Sequence, residues 1–100
     1  MTKYELAIVF RPSEDEGSFK NELEKTEALI ARFGGTVDKV DLWGKRRLAY
    51  EIQKLYEGYY AFITFVAEPQ TPAEIESRLR IDENVLRYLI IKVEEIGGFV

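Results

Sequence analysis

Four apolar β-type segments interleaved with two amphipathic helices, in the order βαββαβ, predict an α+β domain in which both helices pack on one face of a four-stranded antiparallel sheet. Three observations carry this expectation. Residues 4–10 alternate with a period of two, residues 19–33 repeat apolar side chains at helical spacing, and residues 59–67 are apolar at nearly every position.

The first strand sets Tyr4, Leu6, Ile8 and Phe10 on one face and Lys3, Glu5, Ala7 and Val9 on the other, and Pro12 ends it. Ser13 and Glu16 have the spacing of a capping box. Phe19, Leu23, Thr26, Ile30 and Phe33 then form a helical stripe that stops at Gly34-Gly35. Residues 36–52 are rich in β-formers, and Trp43-Gly44 breaks their alternation, which predicts a bulge. A turn is expected through residues 55–58. The run from Tyr59 to Ala67 that follows reads as a central strand with both faces covered. Pro69 ends that strand. Thr71-Pro72-Ala73-Glu74 reads as an N-cap, a proline at the first helical position and an acid three residues after the cap, and Ile75 and Leu79 continue the helix. Asp82-Glu83-Asn84 forms a turn into a last strand over residues 85–93, and residues 94–100 read as a short tail. The domain is therefore assigned to residues 1–93, with the ferredoxin-like topology of two split right-handed crossovers.

One hundred residues, 46% hydrophobic and 32% charged, suit a single core. With neither cysteine nor histidine, the chain offers no disulfide, thiolate zinc site, cysteine nucleophile or histidine-centred triad. No apolar run approaches the roughly 20 residues of a membrane span, and the N-terminus lacks a signal-peptide core. The expectation is a cytoplasmic, non-enzymatic protein with no cofactor, no metal and no small-molecule substrate. A net charge of -4 argues against a nonspecific nucleic-acid coat but leaves room for a local site.

In this topology the sheet face turned away from the helices carries Ala7, Val9, Tyr60, Phe62, Thr64, Arg87, Leu89 and Ile91. Burying four large side chains there contributes on the order of 6 to 10 kcal/mol gross, and such a patch marks an interaction surface. Aromatics on an open βαββαβ sheet suggest an RNA-recognition motif. Tyr60-Ala61-Phe62-Ile63-Thr64-Phe65 fits the last six positions of its octapeptide, but Gly58 and Tyr59 stand where a basic residue and glycine belong. Ala7 also stands where the first strand should present a stacking aromatic. An autonomous single-stranded RNA binder is therefore the alternative reading, and a sheet-paired homodimer holding a small ligand is a third.

Lys3, Arg80, Arg87 and Lys92 come from strand ends or the second helix's end, and the topology is expected to bring several together as a phosphate-binding edge. The competing reading is scattered solubilising charge paired with Glu5, Glu83 and Glu94. Lys45-Arg46-Arg47 would oppose edge-to-edge sheet pairing whatever else they bind. Asp15/Glu16 and Glu94/Glu95 read as solvated surface, and Gly34-Gly35 as helix termination, because it follows a helix instead of opening one.

Tyr4-Glu5, Gly34-Gly35, the run Leu42-Trp43-Gly44-Lys45-Arg46-Arg47-Leu48-Ala49-Tyr50-Glu51-Ile52, Gly58-Tyr59-Tyr60 and Leu86-Arg87-Tyr88 occur in the order and spacing of a known family. Over residues 1 to about 93 the chain closely resembles the sixth protein of the bacterial small ribosomal subunit. The resemblance implies a ribosome-associated protein that is a monomer when isolated. It would bind the central domain of 16S ribosomal RNA together with the eighteenth small-subunit protein. It further implies that Arg46, Arg47, Tyr60, Phe62, Leu89 and Ile91 face the protein partner, and that Lys3, Arg80, Arg87 and Lys92 face RNA phosphates. The short tail differs from members with long acidic extensions.

Overall fold

Alternation in the first strand and at the centre of the sheet is answered by two helical stripes, and the two patterns meet in one core. The computed structural model of the chain describes residues 1–12 and 16–93. Six elements follow in order: β1 (Thr2–Phe10), α1 (Glu16–Arg32), β2 (Thr36–Ile52), β3 (Leu55–Ala67), α2 (Thr71–Leu79) and β4 (Val85–Lys92). The strands form one sheet in the order β2-β3-β1-β4 with every neighbouring pair antiparallel, as the ferredoxin-like reading requires. The capping box at Ser13 and Glu16, the Asp15/Glu16 pair, Glu94/Glu95 and the tail all lie outside the described residues or side chains.

On one face, Leu6, Ile8 and Phe10 of β1 and Ala61, Ile63 and Phe65 of β3 pack under Phe19, Leu23 and Ile30 of α1 and Ile75 and Leu79 of α2. Phe19 bridges the layers, stacking on Tyr59 at 4.7 Å and meeting Phe10 edge-on at 5.9 Å. Such offset and edge contacts add to the area burial of the rings. Buried Thr26 remains in the stripe because its hydroxyl donates to the Glu22 carbonyl one turn earlier, at 2.9 Å.

The end of α1 is a Schellman turn. Gly34 takes φ +86° and donates to the Ala31 carbonyl at 3.0 Å, while Gly35 donates to the Ile30 carbonyl at 2.8 Å. A side chain at Gly35 would stand 2.6 Å from Ile30 Cγ2, so the close approach requires glycine there. The anticipated bulge is present as well. Leu42 pairs with Ala61 and Gly44 with Tyr60, so Trp43 is the extra residue, and Gly44 has φ +76°.

Two expectations are corrected. The β2–β3 turn is Gln53-Lys54, not residues 55–58, which belong to β3. Both turn residues have positive φ, 51° and 65°, a geometry usually signalled by glycine or asparagine, so their side chains gave no turn signal. Thr71 is the first residue of α2, not its cap. Gln70 holds the cap position without a side-chain bond, and the buried Thr71 hydroxyl donates instead to the Phe33 carbonyl at 3.0 Å, tying the start of α2 to the end of α1.

Candidate protein and RNA interface

The sheet face opposite the helices is built in rows that the strand register sets. Reading from β2 to β4, one row is Asp41, Phe62, Ala7 and Leu89, and the next is Lys39, Thr64, Glu5 and Ile91. A third is Gly44, Tyr60, Val9 and Arg87. In the rows, small Ala7 lies between Phe62 and Leu89. Leu89 is 61% exposed and Ile91 47%, values at which apolar side chains lose the stabilisation that a covering surface would give them. The sequence reading expected residues 59–67 to be covered on both faces; here the helix-facing set is buried and Tyr60, Phe62 and Thr64 are half-buried.

Trp43, the extra residue of the bulge, joins this face. The bulge turns its indole onto the Phe62 ring, with centroids 4.8 Å apart, and its Nε1–H donates to Asp41 Oδ2 at 3.3 Å. The ring remains 48% exposed. Trp43, Phe62, Thr64, Lys39, Asp41 and Glu5 line a depression of about 290 Å³. The face therefore combines an aliphatic and aromatic floor with two carboxylates and, in this depression, one cation, Lys39. Glu5 and Asp41 outnumber Lys39 there, so the depression favours a cationic partner and opposes a phosphate backbone lying over the aromatics.

At the other end of the face the β2–β3 hairpin bends across the sheet. Past the bulge, Arg46 pairs with Gly58, and the next residue in phase, Leu48, is buried beside Val9. This explains why Val9, on the open side, is only 8% exposed. A side chain at Gly58 would stand 2.5 Å from Val9 Cγ1 and 3.6 Å from Leu48 Cδ2. Glycine therefore lets Leu48 and Val9 close over β3. Further along, the Arg87 guanidinium of β4 lies 5.5 Å from the centroid of the Tyr50 ring, a cation–π contact between the hairpin and the opposite edge strand.

Of Lys3, Arg80, Arg87 and Lys92, several of which were expected to come together at one edge, two lie at each end of the sheet. Lys92 pairs with Tyr4 and Arg87 with Val9, which separates them by roughly 17 Å of strand. Lys3 is at the Lys92 end, where it forms an ion pair with Asp38 at 3.4 Å rather than with Glu5. Arg80 is at the Arg87 end, lining with Arg11, Gln53 and Glu83 a hollow of about 550 Å³. Antiparallel pairing of β1 with β4 puts the two ends of β4 at opposite ends of the sheet, so one shared phosphate edge is replaced by two separate cationic ends. Of the three hairpin cations, Lys45 is paired with Glu57 at 3.3 Å, while Arg46 and Arg47 have no ion pair among the described residues. Arg46 lies in phase with the open face and Arg47 does not.

Arg11, Leu48, Tyr50 and Asp41 belong to this surface without having been singled out from the sequence. Counting alternation through the bulge would have placed Leu48 on the open side. Nothing in the local pattern announces Arg11, whose contacts lie far away in sequence.

Residues 3–92 match the family described as Ribosomal protein S6. The chain is 46% identical over 95 residues to "Small ribosomal subunit protein bS6" of Clostridium kluyveri, covering 95% of this chain and 100% of that protein. It is also 46% identical over 94 residues to the bS6 protein of Clostridium botulinum strain Hall, covering 94% and 100% respectively. Its fold is similar to the crystal structure of 30S ribosomal protein S6 from Thermotoga maritima, with a TM-score of 0.89 and 29% identity, covering 98% of this chain and 92% of that one.

Proposed function

The chain belongs to the ribosomal protein S6 family, whose members are structural and non-enzymatic, and from that premise we propose that it is a cytoplasmic constituent of the small ribosomal subunit that binds the central domain of 16S rRNA jointly with the eighteenth small-subunit protein. The observation that carries this reading is the open sheet face, apolar in its floor and acidic at Glu5 and Asp41. A basic protein partner satisfies both properties at once, covering Tyr60, Phe62, Leu89, Ile91 and Trp43 while meeting the carboxylates. Arg46 and Arg47 then form a polar boundary beside that contact. The net charge of -4 accords with joint binding, because the partner supplies positive charge that this chain lacks.

Lys3, Arg80, Arg87 and Lys92 are the phosphate contacts in this proposal, divided between the two ends of the sheet. Two cationic ends flanking a protein-covered face suit the shape-based recognition of a folded RNA junction better than the tracking of a single strand. The rival reading, an autonomous single-stranded RNA binder, draws on the pairing of exposed Trp43 with half-buried Phe62. Ala7 in the same row and Glu5 and Asp41 around the pair oppose it.

The test is a titration of a central-domain rRNA fragment with this chain alone and with the eighteenth protein present. The expected result is weak binding alone and strong binding together. In the joint complex, Arg87→Ala and Lys92→Ala are each expected to reduce the slope of log affinity against log salt by about one. Full-strength binding by the chain alone would remove the joint mechanism. Quenching of Trp43 by a short single strand without a partner would favour the rival.

A further inference from the structure

We propose that Arg11 is a positioning residue that locks the tip of the β2–β3 hairpin beside the loop joining α2 to β4, holding the hairpin in the bent pose that shapes the partner-facing surface; the last part rests on the function proposed above. The hairpin's own ladder does not fix its tip. Regular pairing is interrupted between Arg47 and Ile52, and beyond that gap only Ile52 and Leu55 pair. The turn itself is two non-glycine residues at positive φ, a conformation L side chains adopt at a cost. What places the tip is therefore side-chain contact with the rest of the domain.

Among the described residues, the contacts that do this are of three kinds. Leu48 against Val9 is apolar and directs nothing, and Tyr50 under Arg87 tolerates sliding. Arg11 alone is both directional and doubled: Nη2–H donates to Gln53 Oε1 at 2.7 Å and Nε–H donates to the Glu83 carbonyl at 3.2 Å. One anchor is the hairpin turn. The other is a loop already held by its neighbours: the backbone N–H of Arg11 donates to the Asn84 carbonyl at 2.7 Å, Val85 N–H donates to the Asp82 carbonyl at 3.1 Å, and Asn84 N–H donates to Asp82 Oδ1 at 2.9 Å. The Asn84 side chain also donates to Glu22 Oε1 of α1 at 3.0 Å. The planar fork of arginine can engage both acceptors at once, whereas a lysine ammonium on a flexible stem cannot reproduce that geometry. Releasing the tip withdraws Tyr50 and loosens Leu48, which lie beyond the last regular pair at Arg47, and with them one wall of the surface the partner meets.

The experiment measures amide hydrogen exchange of the full chain and its affinity for the eighteenth protein, in wild type, Arg11→Ala, Arg11→Lys, Gln53→Ala and the Arg11→Ala/Gln53→Ala double variant. Exchange over residues 50–56 is expected to quicken about tenfold in either alanine variant and no further in the double variant, with the lysine variant between. Leu6 and Ile63 in the sheet centre should exchange as in wild type, which separates tip release from general destabilisation. Affinity should fall threefold or more in the same order. Unchanged tip exchange in Arg11→Ala, or additive effects of the two substitutions, would overturn the lock. A released tip with wild-type affinity would overturn the positioning role. If the wild-type chain does not bind the eighteenth protein at all, the proposed function falls and the interface half of the inference with it, while the exchange pattern still decides whether Arg11 locks the hairpin.

Discussion

Leu89→Asp is expected to weaken joint binding to the partner and rRNA by about 2–4 kcal/mol, roughly 30- to 1000-fold, while leaving the free chain folded and within about 1 kcal/mol of wild-type stability. The asymmetry follows from where Leu89 sits. Its side chain is mostly in water in the free chain, so a carboxylate there costs the fold little. Once a partner closes over the row it shares with Ala7 and Phe62, the same carboxylate must be desolvated beside apolar groups, and the burial of leucine is forfeited as well. Isothermal titration of the joint complex, with thermal denaturation of the free variant as the control, measures both halves. Unchanged affinity would place the partner elsewhere on the molecule.

Phe65→Ala should give the opposite pattern. Phe65 is fully buried on the helix-facing side of β3, next to its β1 partner Tyr4, with ring centroids 5.6 Å apart. Truncation removes its transfer free energy and leaves a cavity that close-packed neighbours fill only in part, at a cost of about 3–5 kcal/mol. Against the marginal stability of about 5–15 kcal/mol usual for single domains, this removes a large share. Urea denaturation should show a midpoint lowered by roughly 2 M with little change in slope. A shift below about 0.5 M would mean that the core does not rest on this ring.

The two substitutions also mark what could be read from the sequence. Phe65 and its companions were legible because burial on one face of a strand or helix imposes a period, and the strands, the helices, the Trp43-Gly44 bulge and the Gly34-Gly35 stop all leave such local traces. The open face was legible for the same reason, since residues out of phase with a buried set must lie on the other side. Contacts between side chains distant in the chain leave no period. Arg11 reaches Gln53 and Glu83, and Tyr50 reaches Arg87, only because the hairpin bends, and that bend depends on a close approach at Gly58. The Gln53-Lys54 turn was hidden because neither residue is of the type that favours its backbone geometry. The separation of Lys3 and Lys92 from Arg80 and Arg87 required the register between β1 and β4, which composition does not contain.

In the proposed assembly this chain enters the small subunit through a face completed by a protein partner. The most direct test is reconstitution of small subunits from 16S rRNA and purified proteins, with the eighteenth protein either supplied or withheld, scoring whether this chain co-sediments with the particle. Incorporation only when the eighteenth protein is present is the predicted result. Stoichiometric incorporation in its absence would contradict it.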